Sequence, residues 1–345
     1  MLNIIALLLC ISGYGTFSIV AMDPETDEYG VAVASRVLDV GYIVPWVEAD
    51  VGAVATQAYS NPYFGPRALD ELTQGKSAAE ALRSVLERDT LSEDRQVGIV
   101  DKHGRSISHT GKNTTAWAGH RNAQYVAVQG NILTGPEVID SMFAVFARTE
   151  GPLAERLLSA LEAGEKAGGD SRGKQSASLI VVTKRGGYLG VDDRLVDLKV
   201  VDNPEPVKEL RRQYELWQYA FMAPAYLRLA SENTSKEGLL LKKTYSLLIK
   251  ALASDLESPE VYNSLAWEFA LLKKYPKETL EAAKKAHALA PEDANITDTV
   301  AESFYAAGNY EEAVRWETNA LKIEPENAFF KKQLEKFRKA LFEKE

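Results

Sequence analysis

At 345 residues and 46% hydrophobic content, the chain has enough material for two domains with substantial cores. A formal net charge of −9 excludes the clustered basic footprint that nucleic-acid phosphates require. The one cysteine, Cys10, stands near the front, so disulfides, thiolate chemistry and Cys-ligated metals are not expected beyond it.

The first predicted element is the apolar run 2–11. It has the length of a signal-peptide core, too short to cross a bilayer as a helix, and Gly13 and Gly15 are small residues at the two positions a signal peptidase inspects. Met1-Leu2-Asn3 carries only the amino-terminal charge. A lipoprotein reading of Leu7-Leu8-Leu9-Cys10 is opposed by Leu9, where a small residue is needed. Cleavage after residue 15 would give a product that begins at Thr16, in the periplasm or secreted, with no stable membrane span left. A leading threonine carries a hydroxyl and, as a free α-amine with an ordinary pKa near ~8, its own base. The plainer reading of Thr16 is the start of a β-strand, because Thr16-Phe17-Ser18-Ile19-Val20 alternates.

From residue 16 to about 202, β-branched runs alternate with Gly-containing turns. Strands are predicted over 16–22 and 30–37, as a hairpin, and over 52–57. Helices follow at 65–72 and 77–87, then strands at 96–100, 106–110 and 125–129. Helices at 136–147 and 152–163 precede strands at 177–183, 188–191 and 197–200. Blocks of strands and paired helices, without βαβ units, predict an α+β domain over 16–210.

Residues 211–345 read as helical. Leu265-Ala266, Phe269, Tyr275, Ala286 and Pro291 recur as Val300-Ala301, Phe304, Tyr310, Ala320 and Pro325 at a spacing of about 34 residues. The pattern, clearest over 259–326, resembles the tetratricopeptide repeat, although Lys273 stands where a turn glycine is usual and Thr279 where alanine is usual. Residues 327–341 would form a cap helix, and 244–256 part of an earlier, degenerate unit. A generic helical bundle is the alternative.

Several motifs carry a wider resemblance: Thr16-Phe17-Ser18-Ile19-Val20-Ala21, Val31-Ala32-Val33-Ala34-Ser35-Arg36, Gly52-Ala53-Val54-Ala55-Thr56-Gln57, Arg95-Gln96-Val97-Gly98, Trp117-Ala118-Gly119-His120, Gln129-Gly130-Asn131-Ile132-Leu133 and Gly169-Asp170-Ser171-Arg172-Gly173-Lys174-Gln175-Ser176. In this order the chain resembles the domain-of-unknown-function family 1028, which groups with the N-terminal nucleophile hydrolases. The resemblance implies a four-layer αββα fold and amide hydrolysis through an acyl-enzyme on the leading side chain. Many relatives begin with Met directly before Thr-Phe-Ser, so two kinds of leader would expose the same threonine.

On this reading Thr16 is the nucleophile and its amine shuttles the proton. Ser35 and Arg36, at the end of the second strand, either orient that amine, the guanidinium disfavouring the ammonium form, or are a polar pair exposed to solvent at the strand end. Asn131 donates to the oxyanion and Gly130 lets backbone approach the substrate, the alternative being that Gly130-Asn131 is simply a turn. Gln129 and, more weakly, Gln57 are candidates for substrate hydrogen bonding, although a buried, satisfied glutamine is the preferred reading of Gln57. His109 and His120 lie in no metal-site spacing, and the stretch 168–173 lacks the lysine of a phosphate loop, so no metal or cofactor is expected. The expected function is an exported, cofactor-independent amidohydrolase acting on a small amide or peptide. Its repeats would bind a protein or peptide partner or a second copy of the chain. The rival is a non-catalytic periplasmic binding or scaffold protein working through those repeats.

Overall fold

The alternating run at Thr16 becomes a strand buried on both faces, and the amino-terminal fold is arranged around it. The computed structural model describes residues 15–115 and 117–344. The expected signal-peptide core, Gly13 and Cys10 lie outside the described residues.

The elements are β1 (Thr16–Asp23), β2 (Glu28–Ser35), α1 (Val40–Ile43), β3 (Pro45–Glu48), β4 (Gly52–Ala58), α2 (Phe64–Thr73), α3 (Ala78–Glu87), β5 (Arg95–Asp101), β6 (Ser106–Thr110), β7 (Trp117–Ala123), β8 (Val126–Leu133), α4 (Glu137–Arg148), α5 (Leu153–Lys166), β9 (Ser176–Val182) and β10 (Arg194–Val200). Helices follow: α6 (Pro206–Trp217), α7 (Ala223–Glu232), α8 (Glu237–Leu252), α9 (Pro259–Leu271), α10 (Pro276–Leu289), α11 (Ala294–Ala306), α12 (Tyr310–Ile323) and α13 (Ala328–Lys344). None of them is long and apolar enough to cross a membrane. The chain divides into two compact units at Glu215 and Leu216, five residues beyond the end expected for the first domain.

In the first unit the strands form two antiparallel sheets, ordered β10-β9-β2-β1-β8-β7 and β3-β4-β5-β6. Period-two alternation gives β1 two different faces. Val20 and Met22 join Val31 and Val33 from the larger sheet and Ala53, Ala55 and Val100 from the smaller one in a core between the sheets. Phe17, on the other face, meets Gly164 of α5. Helices α4 and α5 pack on the larger sheet, while Phe64, Leu69, Leu72, Leu82 and Val85 of α2 and α3 cover Val54, Val97 and Ile99 of the smaller. Each such side chain, withdrawn from water, contributes roughly 1.5–3 kcal/mol.

Besides the one-turn helix α1, which the sequence did not announce, three elements depart from expectation. β3 and β7 are strands that no alternation announced, each at the edge of its sheet, where a strand has one neighbour and its two faces are buried only in part. The strand expected at 188–191 is a tight turn instead. Leu189 is left-handed, Tyr188, Leu189 and Val191 are exposed, and Gly187 donates to the Asp192 carbonyl, which closes the β9–β10 hairpin.

The second unit is wholly helical. Helices α9 and α10 pack as a pair, as do α11 and α12, and the two pairs contact each other.

Candidate active site

Sheet register decides what surrounds Thr16. It stands opposite Ser35 on β2 and opposite Asn131 on β8, so the three side chains form a row on one face. Thr16 Oγ1 donates to Ser35 Oγ at 3.0 Å, and Ser35 Oγ donates to the Gly15 carbonyl at 2.5 Å. All three side chains are almost fully buried.

Below this row, between the sheets, lies a network of amides. Gln57 Nε2 donates to the Thr16 carbonyl at 3.2 Å and to Gln96 Oε1 at 2.8 Å. Ser18 Oγ donates to Gln57 Oε1 at 2.7 Å and receives Gln129 Nε2 at 2.6 Å. Asn131 Nδ2 donates to Gln96 Oε1 at 3.0 Å, and Gln96 Nε2 is shared among the Gly130 carbonyl, Thr110 Oγ1 and the Gly119 carbonyl. Because the partners are satisfied and uncharged, the network fixes amide orientation without a buried charge. Gly98 makes room for it: a β-carbon there would fall 2.1 Å from Gln129 Oε1.

Asn131 also lines a cleft of about 400 Å3 with Ala58, Tyr59, Asp94, Asn113 and Thr114. Two of its lining residues, Ala58 and Ile132, have φ of 69° and 52°, immediately after Gln57 and Asn131. Left-handed backbone at non-glycine residues costs roughly 1–2 kcal/mol, more for a β-branched side chain, and such strain concentrates at working sites. Ile132 is held there by its carbonyl, which accepts from both the backbone N–H and the hydroxyl of Ser171 at 2.9 Å. Arg95 buttresses the cleft by bonding the Tyr59 carbonyl and pairing with Asp89 at 2.8 Å. Burial would raise the Asp89 carboxyl, but hydrogen bonds from Arg95, Asn61 and the Leu91 N–H outweigh it and hold it near about 2.

A glycine-rich loop brings two further side chains to the chain start. Asp170 accepts from the backbone N–H groups of Arg36 and Arg172, each at 3.0 Å, and from the Arg172 guanidinium at 3.1 and 2.7 Å. Arg172 Nη2 donates in turn to the Gly15 carbonyl at 2.9 Å. The turn depends on φ values of 121° at Gly168 and 113° at Gly173, which glycine adopts without strain.

The residues singled out from sequence therefore separate. Thr16, Ser35 and Asn131 come together, with Gln57 and Gln129 directly beneath. The Arg36 guanidinium turns to the Arg172 carbonyl, and its link to the chain start runs through its backbone N–H to Asp170. Gly130 faces away: its α-carbon looks onto Leu133 and Ile139, and only its carbonyl joins the network. His109 and His120 are occupied by the Ser92 carbonyl and Thr110 Oγ1. Among the described residues, no three His, Cys, Asp or Glu side chains are grouped to hold a metal.

Residues 16–210, more than half of the chain, match the family of unknown function DUF1028. The chain belongs to that family. The crystal structure of protein SPO2555 from Silicibacter pomeroyi, a DUF1028 protein, is similar at 28% identity and a TM-score of 0.55, over 61% of this chain and 92% of that one. No curated protein matches the sequence. Gln96, Asp170 and Arg172 carried no role in the sequence reading, although each lies inside a stretch quoted for the DUF1028 resemblance. That placement was the available signal.

Proposed function

We propose that this DUF1028 chain is an exported, cofactor-independent amidohydrolase of the N-terminal nucleophile type, its sheets and helices forming the four-layer αββα arrangement. Removal of the leader after Gly15 frees the Thr16 amine. The hydroxyl attacks an amide carbonyl, the amine takes its proton and passes it to the leaving nitrogen, and water then releases the acyl group. One Asn131 N–H is committed to Gln96, and the other stabilises the oxyanion on the cleft side. The observation that carries the reading is the placement of Thr16, the first residue of a central strand, in hydrogen-bond contact with Ser35 and level with Asn131.

The test uses full-length chain produced behind a removable tag so that it begins at Thr16. A β-lactone probe should add its mass to residue 16, and Thr16→Ala should lose labelling and amide turnover by about 10^3-fold or more, with Thr16→Ser retaining part. Labelling that survives Thr16→Ala would sink the proposal.

A second role is proposed for the helical unit, because its two helix pairs close with the same turn. Lys273 and Lys274 donate to Ala270 and Phe269, as Gly308 and Asn309 donate to Tyr305 and Phe304. Read as tetratricopeptide-like repeats, these pairs bind a protein or peptide, and Thr16→Ala should leave that binding intact.

A further inference from the structure

Gly15 sits in a seat that was not legible in the sequence. Its carbonyl oxygen receives two donors, Ser35 Oγ at 2.5 Å and Arg172 Nη2 at 2.9 Å, one of them charged. Its α-carbon faces the Asp170 carboxylate so closely that a β-carbon would fall 2.6 Å from Oδ1, 2.8 Å from Cγ and 2.9 Å from Oδ2. That carboxylate cannot step aside, because the N–H groups of Arg36 and Arg172 and two nitrogens of the Arg172 guanidinium hold it. The seat is thus matched to one group, a carbonyl or carboxylate on an unbranched carbon. Arg36 and Arg172 against Asp170 leave a net positive charge beside it, which favours a carboxylate.

The seat also has a defined place beside the nucleophile. Its carbonyl carbon, that of Gly15, is bonded to the Thr16 nitrogen and its Ser35 donor belongs to β2, while the Asp170 loop beside it also bridges to Leu133 of β8, the strand that carries Asn131. With the Gly15–Thr16 bond cut, a ligand's carboxylate must stand back from the Thr16 nitrogen to non-bonded distance, so the seat takes it beside the freed amine and not at the carbonyl's own position.

We propose that, once the leader has gone, this seat binds the glycine portion of the substrate, so that the amides hydrolysed are N-acylglycines. Turnover rests on the Thr16 reading above; binding in the seat does not. Thr16 Oγ bonds to the acyl carbon as its proton passes to the Thr16 amine. The C–N bond then breaks, the amine delivers the proton to the departing nitrogen, and glycine leaves with its carboxylate on Arg172 and Ser35. Water adds to the ester, releasing the carboxylic acid and restoring the hydroxyl.

The decisive probes are N-acetylglycine and N-acetyl-L-alanine. Their binding is measured by calorimetry on full-length chain starting at residue 16 and carrying Thr16→Ala, which separates binding from turnover. N-acetylglycine should bind about tenfold or more tightly than N-acetyl-L-alanine, and Arg172→Gln should weaken it by a similar factor. Ser35→Ala, a smaller change, should weaken it several-fold and guards against misfolding of the arginine variant. Equal binding of the two probes, no binding of either, or binding indifferent to both substitutions overturns the proposal. With Thr16 restored, release of glycine from N-acetylglycine supports both readings. Selective binding without release would leave the seat standing and the hydrolase reading refuted, and equal release from both probes would refute the seat alone.

Discussion

Between the two sheets, Gln57, Gln96, Gln129 and Asn131 bury four amides whose donors and acceptors largely meet one another; in the helical unit, Asp298, Glu302 and Glu317 bury three carboxyls that are short of donors. Glu302 is satisfied by Gln333 Nε2 at 2.8 Å and by Lys336 Nζ at 2.6 and 2.8 Å. Glu317 is fully buried, and apart from the carboxyl of Asp298 its oxygens have no hydrogen-bond partner among the described residues. Burial first, and then the neighbouring Asp298, push the Glu317 carboxyl well above its ordinary range, and burial likewise raises Asp298. The contrast separates two ways of keeping polar atoms inside a protein. Neutral amides hold one geometry at every pH, which suits the support of a nucleophile. A carboxyl pair stays buried by keeping a proton, so its stability is tied to pH.

The strongest attack on this contrast is Gln96→Leu. It would leave Asn131 Nδ2 without its acceptor and deprive the Gly119 and Gly130 carbonyls of the same amide, with little change in volume. We expect a loss of roughly 3–5 kcal/mol from unfolding of the sheet-containing unit in the full chain, since each stranded buried group costs about 1–3 kcal/mol. That loss should be the same at pH 7 and pH 8, above the lowered range of His120, which reaches the network through Thr110 Oγ1. A loss that varied with pH would mean that the network contains a titrating group.

Glu317→Gln should act in the opposite direction and depend on pH. With its folded pKa raised, the protonated carboxyl contributes stability that is fully present below the ordinary glutamate range. That contribution is lost as pH rises through the raised value. The groups facing the pair are Glu302 and Lys336, of which only Lys336 opposes the shift. The amide cannot ionise, so the variant should be more stable than the parent above neutrality, by about 1–3 kcal/mol, and nearly equal to it at pH 5. Urea unfolding followed at pH 5 and pH 8 checks this. A parent whose stability is flat between them would remove the shared proton from the account.

How far each region was legible follows from the same physics. β1, β2, β4, β5 and the helices flanking them were readable because alternation and 3.6-residue spacing record which face is buried. The row of Thr16, Ser35 and Asn131 was reached through strand ends and a family likeness. Of the network beneath it only Gln57 was foreseen as a buried, satisfied glutamine; Gln96 and Gln129 are polar residues at positions where alternation expects apolar ones, and only sheet-to-sheet packing shows that they meet. Asp170 and Arg172 lie in a loop whose path is set by glycine torsions, and sequence does not report which distant strand such a loop reaches. In the helical unit Glu317 reads as one more solvated charge on an amphipathic helix, whereas its burial comes from the helices around it.

The smallest effect tests the comparison inside the helical unit itself. Lys273 and Gly308 hold the same place in their turns, with φ of 51° and 75°, and each donates to the carbonyl three residues back while the next residue donates five back. This is the Schellman closure, which places a left-handed residue where glycine is free of steric cost. Lysine there sacrifices about 1 kcal/mol or more, and recovers part of it by placing Nζ 5.2 Å from the Tyr305 ring. An exposed cation–π contact contributes only about 0.5–1 kcal/mol, and glycine loses some of its advantage to the entropy of the unfolded chain. Lys273→Gly should therefore stabilise the unit slightly, by about 0.5 kcal/mol, whereas Gly308→Lys, with no atoms within 4 Å of a new β-carbon to relieve or obstruct it, should destabilise it by about 1 kcal/mol. If both substitutions destabilise equally, the contact between Lys273 and Tyr305, and not the torsion, decides which residue the first turn keeps.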